Sequence, residues 1–170
     1  MKILYLIRHA KSSWADPLLT DFNRPLNKRG KRDAPFMGQR LKAVPVQPDL
    51  IVSSTARRAR KTARIIAREI GYDKNTIDYR DDIYTSDLDK LLEIIRNTGP
   101  MINALALVGH NYVITDCAEL LTGETIVNIP TCGIVAISFA GMSWKEVAGK
   151  NGRLVFFDYP KLHGKRSNGE

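Results

Sequence analysis

Three unbroken apolar runs punctuate the chain: residues 2–7 (KILYLI), 49–53 (DLIVS) and 104–108 (ALALV). Runs this short with no polar face predict strands buried on both sides, as in the parallel sheets of α/β proteins. Residues 134–139 and 154–157 predict two further strands, the last near an edge. Between them, apolar positions recur with helical spacing over about 27–43, 57–70, 86–96 and 111–121. Pro35 either kinks the first helix or marks a late start for it, and Gly71 and Gly123 fall where helices would stop. Strands alternating with helices predict a mostly parallel sheet covered on both faces. There is no internal repeat, low-complexity tract or linker. The polar stretch 163–170 (HGKRSNGE) is expected to be loose.

In open α/β sheets ligands bind beyond the carboxyl ends of the strands, so the residues following each run carry the chemistry. Arg8 and His9 follow the first run. Ser53 and Ser54 close the second, and a helix then opens with Arg57 and Arg58. Gly109, His110 and Asn111 follow the run ALALV. Three strands of one sheet thus deliver two histidines and at least two arginines to the same edge.

On the second helix, Ala59, Ala63, Ile66 and Ile70 form the apolar stripe at 100° per residue. Arg57, Lys61, Arg64 and Arg68 lie opposite and should be solvated, while Arg58 and Arg60 flank the stripe. Helical side chains lean toward the amino terminus. Arg58, in the first turn, can therefore reach back over the strand ends, whereas Arg60 lies further down the other flank.

These residue types suit phosphoryl transfer. A neutral imidazole is a competent nucleophile near pH 7. Guanidinium forks match the equatorial oxygens of a transferring phosphoryl group, where positioning and charge stabilisation lower the barrier. A protonated second histidine adds a donor, and Ser53, Ser54 and the helix amino terminus behind them favour an anion.

The chain has 170 residues, 44% of them hydrophobic, which is enough for one domain with a real core. No apolar run approaches the roughly 18 residues of a membrane span, and MKILYLIRH is too short before Arg8 to serve as a signal peptide. A cytoplasmic protein is expected. Cys117 and Cys132 have no paired spacing and are expected to be buried free thiols. The net charge of +8 suits acidic partners, phosphorylated ligands or simply a solvated basic surface. Nucleic-acid modules interleave aromatic with basic residues, and the basic second helix has no aromatic residue.

The segments IRHAKSSW, SSTARRARKTA and LVGHN resemble, in order and spacing, the motifs of the histidine phosphatase superfamily (phosphoglycerate mutase-like). RHAKSSWADPLLTDFNRPLNKRGKRDAPFMG is similar to its SixA-like phosphohistidine phosphatase branch. The resemblance runs from about Lys2 to Val155. It implies a single three-layer α/β/α sandwich over residues 1–160, without a cap domain, and a polar tail over 161–170. It implies that His9 becomes phosphorylated, with Arg8, Arg58 and His110 as the rest of the phosphate pocket. It implies no metal and no cofactor, and the sequence has no metal-ligand cluster.

Ala10 replaces the glycine usual after the first histidine, and Thr55 the usual proline. The proton donor differs more. Phosphoester hydrolases of the superfamily supply an acid after the second histidine or after the third strand. Here Asn111 follows His110, and Asp81 and Asp82 (DYRDDIY) match the glutamate pattern poorly. An ester's alkoxide leaves badly unless protonated, whereas a phosphoramidate releases imidazole. Phosphohistidine on a protein, such as a histidine phosphotransfer domain, is therefore the expected substrate, with inorganic phosphate as product. A small phosphate ester is the alternative, and a non-catalytic phosphate-binding module the third reading.

Ser12 and Ser13, with Lys11, either line the pocket mouth as phosphate ligands or form a solvated loop. Trp14 is expected to pack rather than stack on a ligand. Arg24 and Lys28 are expected to be basic surface flanking a helix, or else a contact for an acidic protein. His163 is expected to be inert.

Overall fold

A computed structural model describes residues 1–164 of the chain. Six strands form one sheet in the order β3-β2-β4-β1-β5-β6. They are β1 (Lys2–Arg8), β2 (Leu50–Ser54), β3 (Asp78–Arg80), β4 (Ala104–Gly109), β5 (Ile134–Phe139) and β6 (Arg153–Asp158). β1 to β4 are mutually parallel, β5 runs antiparallel to β1, and β6 antiparallel to β5. β6 is an edge strand, as its broken apolar pattern predicts. The opposite edge, β3, escapes prediction because DYR is short and polar, and only its pairing with Val52–Ser54 makes it a strand.

Five helices accompany the sheet: α1 (Lys28–Lys42), α2 (Arg57–Ile70), α3 (Asp81–Tyr84), α4 (Leu88–Arg96) and α5 (Val113–Thr122). α1 starts on an Asn27 side-chain cap to the Gly30 amide and continues through Pro35, so the late start does not occur. α2 and α5 stop at Gly71 and Gly123, both left-handed.

The period-two alternation of the strands divides the core. Tyr5, Ile7, Ile51, Ala106 and Val108 pack with Ala34, Met37, Ala63 and Ile66 of α1 and α2 on one face. Leu4, Leu6, Val52, Leu105 and Leu107 pack with Leu91, Ile95, Ile114 and Leu121 of α4 and α5 on the other. The result is the three-layer α/β/α sandwich, with no cap domain among the described residues.

The expected loose tail differs at its start. Pro160–His163 form a 3-10 turn, and His163 bonds Asp158 at 2.6 Å and packs edge-on against Phe36. His163 is thus tied to β6 and α1, because Asp158 and Arg40 offer it a polar seat. Residues 165–170 of that stretch lie outside the described residues. Among the described residues, no helix is long and apolar enough to cross a membrane. Cys117 and Cys132 are both buried thiols outside any disulfide.

Candidate active site

The site is built where β2, β4 and β1 end side by side. Strand register sets Arg8 against Gly109 and Ser53 against Val108. His9, just beyond β1, donates its amide to the Gly109 carbonyl at 3.1 Å. The rings of His9 and His110 lie 5.2 Å apart, centre to centre. Arg58 leans back from the first turn of α2 and is only 6% exposed. Its Nε lies 3.3 Å from His9 Nε2 and its Nη2 3.5 Å from His110 Nδ1.

Hydrogen bonds set the tautomer of His9. Nδ1 lies 2.8 Å from the Ala10 carbonyl, which can only accept, so Nδ1 carries the proton. Nε2 then bears a lone pair on the side of Arg58. The loop holding this ring is fixed from two directions. Thr62 of α2 accepts the Ala10 amide at 2.9 Å while donating to the Arg58 carbonyl. Gly30 of α1 lies so near that a Cβ there would sit 2.2 Å from the Lys11 carbonyl oxygen.

Burial holds His9 at a pKa of about 3, with neighbouring His110, Arg58 and Arg8 adding to the depression. Burial, followed by Arg58, lowers His110 to about 4. Both imidazoles are therefore neutral at pH 7. His110 Nε2 lies 2.8 Å from Ser54 Oγ, and Ser54 Oγ also accepts the Ala56 amide at the start of α2. Arg8 donates Nη1 to the Ile129 carbonyl, while its buried Nε has no acceptor among the described residues.

Asp21, in a 3-10 turn outside the predicted elements, orients Arg58. Its carbonyl accepts Arg58 Nη1 at 2.7 Å and its carboxylate accepts Nη2 at 3.1 Å. Burial alone would raise the Asp21 pKa, but hydrogen bonds from Tyr84 and Arg58 outweigh it and hold it at about 2. Tyr84 donates to the Asp21 carboxylate and meets the His110 ring edge-on. Sequence reasoning missed Asp21, Tyr84 and Thr62. Thr62 lies near the stripe of α2 and could have been found there, but the two others leave no periodic trace.

One expectation needs correction. Arg24 is not basic surface: it is 7% exposed and donates to Ser12 Oγ at 2.7 Å and to the Asp21 carboxylate. Trp14 packs over it with the guanidinium 3.5 Å from the ring centre. Lys28 is exposed. Ser12 is buried and engaged with Arg24, and Ser13 Oγ accepts the nearby Ala15 amide. Neither serine hydrogen-bonds the two histidines, Arg8 or Arg58, because the loop turns both into its own structure. Asp82 is tied to Arg80 at 2.7 Å, whose hydrogen bond holds its carboxyl below the ordinary range. Asp81 accepts from Thr55. Asn111 is bound to Thr115 and Asn128. Among the described residues, no group of three or more His, Cys, Asp or Glu is placed to hold a metal.

A buried histidine beside a half-buried one, flanked by arginines at the carboxyl edge of an α/β/α sandwich, defines a phosphate-handling class. The sequence profile of the histidine phosphatase superfamily, branch 1, matches residues 4–97, and the chain belongs to that superfamily, in its SixA-like branch. It is thereby a phosphatase, needing a phosphorylated substrate and releasing phosphate. A chloroplast protein of Arabidopsis thaliana is 32% identical over 157 residues, spanning 88% of this chain and 72% of the relative. A solved structure of a candidate phosphohistidine phosphatase SixA from Agrobacterium tumefaciens is 30% identical, with a TM-score of 0.79 over 94% of this chain and 98% of that one. Another candidate SixA, from Nakamurella multipartitia, is 25% identical with a TM-score of 0.80, covering 94% of this chain and 96% of the other.

Proposed function

We propose that this protein removes phosphate from phosphohistidine on a protein, through a phosphorylated His9. The observation that carries the reading is the state of His9: neutral, its proton fixed on Nδ1, its Nε2 lone pair beside the guanidinium of Arg58. In the first step Nε2 attacks phosphorus. The new P–N bond forms as the substrate's P–N bond breaks, and the departing ring, protonated on its other nitrogen, takes the electron pair of that bond and leaves as neutral imidazole. In the second, water attacks phospho-His9, its proton going to the departing phosphate, and His9 is restored.

Arg58 and Arg8 supply charge to the equatorial oxygens, and a phosphate oxygen would give the buried Arg8 Nε the acceptor it lacks. His110, neutral at pH 7, gains a proton more readily beside a dianion. Phosphohistidine is favoured over esters because the nearby carboxyls are committed. Asp21 is ionised against Arg58, Asp82 against Arg80, and Asp81 is bound by Thr55. None is poised to protonate an alkoxide, whereas a phosphohistidine ring already protonated on its free nitrogen leaves as neutral imidazole without an enzyme acid.

The test incubates wild type and His9→Ala with phosphohistidine, p-nitrophenyl phosphate and sugar phosphates, with acid-labile phosphate on the protein as the second readout. Phosphohistidine turnover with transient labelling, both lost in His9→Ala, is expected. Rapid turnover of several esters with none of phosphohistidine overturns the substrate assignment.

A further inference from the structure

Beside the reactive pocket lies a second, open cavity of about 480 Å³, lined by Phe22, Asn23, Thr55, Arg57, Arg60, Lys61 and Arg64. The four cations are exposed. Over seven residues of α2 they span about 10 Å, at about 1.5 Å per residue. Among the described residues, none of the four has a carboxylate within salt-bridge distance. Arg57 donates to the Asn23 carbonyl at 3.3 Å and Arg60 stacks over Tyr79. Asp81, at the Thr55 rim, is held by the Thr55 hydroxyl. A protein that pairs Arg24, Arg58, Arg80 and Lys90 with acids leaves these four uncompensated on one face.

The groove and the pocket share a wall. The turn Asp21–Asn23 gives its Asp21 carbonyl to Arg58 on the pocket side and its Asn23 carbonyl to Arg57 on the groove side. Phe22 of that turn meets Tyr84 edge-on, and Tyr84 in turn meets His110. A molecule resting in the groove therefore lies against the same turn that orients Arg58.

We infer that this groove receives an acidic face of the protein that carries the phosphorylated residue, with carboxylates spaced to meet Arg57, Arg60, Lys61 and Arg64. The inference rests on the phosphohistidine reading above and names the kind of partner. A compact second phosphate would be served by convergent, buried forks. Exposed cations spread along a helix instead fit a distributed acidic surface, raising encounter rates through the local field.

The experiment compares two synthetic peptides bearing one phosphohistidine each, flanked by glutamates at helical spacing or by glutamines. Phosphoramidate serves as the small control. Wild type is expected to favour the glutamate peptide at least about 10-fold in kcat/KM, with the preference shrinking as salt rises. The variant R57Q/R60Q/K61Q/R64Q is expected to lose that preference yet turn over phosphoramidate within about two-fold of wild type. Equal wild-type rates on the two peptides overturn the inference, as does an equal loss on peptide and phosphoramidate in the variant. Binding of a fluorescent glutamate peptide without phosphohistidine is followed by anisotropy, which stays informative if phosphohistidine proves not to be a substrate. Displacement of that peptide by far lower concentrations of tripolyphosphate or a single-stranded oligonucleotide also overturns the inference.

Discussion

Acidification tests the electrostatics of the site directly. Unfolding returns His9 and His110 from about 3 and about 4 to the ordinary imidazole value near 6.5. Between these values the unfolded chain binds protons that the folded one refuses, so stability is full above pH 6.5 and falls as pH drops through that window. Integrating from pH 7.5 to 5 gives about 2 kcal/mol for fully buried His9 and about 1 to 2 kcal/mol for the less enclosed His110. That is a large part of a typical domain's stability of about 5 to 15 kcal/mol. Asp21, Asp82, Glu119, Glu146 and Asp158 are all held below their ordinary range. Their stabilisation is lost only near and below pH 4, so the window from 7.5 to 5 isolates the histidines. Urea unfolding across that range should show a loss of about 3 to 4 kcal/mol, roughly halved in His9→Gln or His110→Gln. Saturating phosphate should reduce the loss, because a dianion favours protonated His110. A flat wild-type profile, or one that neither substitution alters, would refute the buried-neutral assignment.

Arg58→Ala should lower turnover at least about 100-fold, as for removal of one charge-stabilising donor. Arg58→Lys should recover little, since an ammonium cannot span His9 and the Asp21 carboxylate as the fork does; near-normal rates in either would show that another cation does this work. Gly30→Ala should cost about 1 to 3 kcal/mol in thermal or urea unfolding and slow turnover, because its Cβ would meet the Lys11 carbonyl oxygen that the loop after His9 presents.

The fold was legible where burial was two-sided. KILYLI and ALALV have no polar face, so their strand character does not depend on partners. Helix ends at Gly71 and Gly123 follow from one residue's conformational freedom. The place of Arg58 followed from helical angle and side-chain lean alone. β3 was illegible because three polar residues become a strand only against β2. Arg24 was misread because its burial depends on Trp14, Ser12 and Asp21 folding over it.

Taken alone, the chain determined an α/β sandwich whose strand ends carry Arg8, His9, Ser54 and His110, since those residues directly follow or close their buried runs. Only tertiary structure decided that β4 lies between β1 and β2, bringing the two histidines to 5.2 Å. Only it recruited Asp21 and Tyr84, from loops without periodicity, to orient Arg58. The physical reason is range: strand and helix character arises from neighbours a few residues apart, whereas a guanidinium is aimed by groups 37 residues away in the chain.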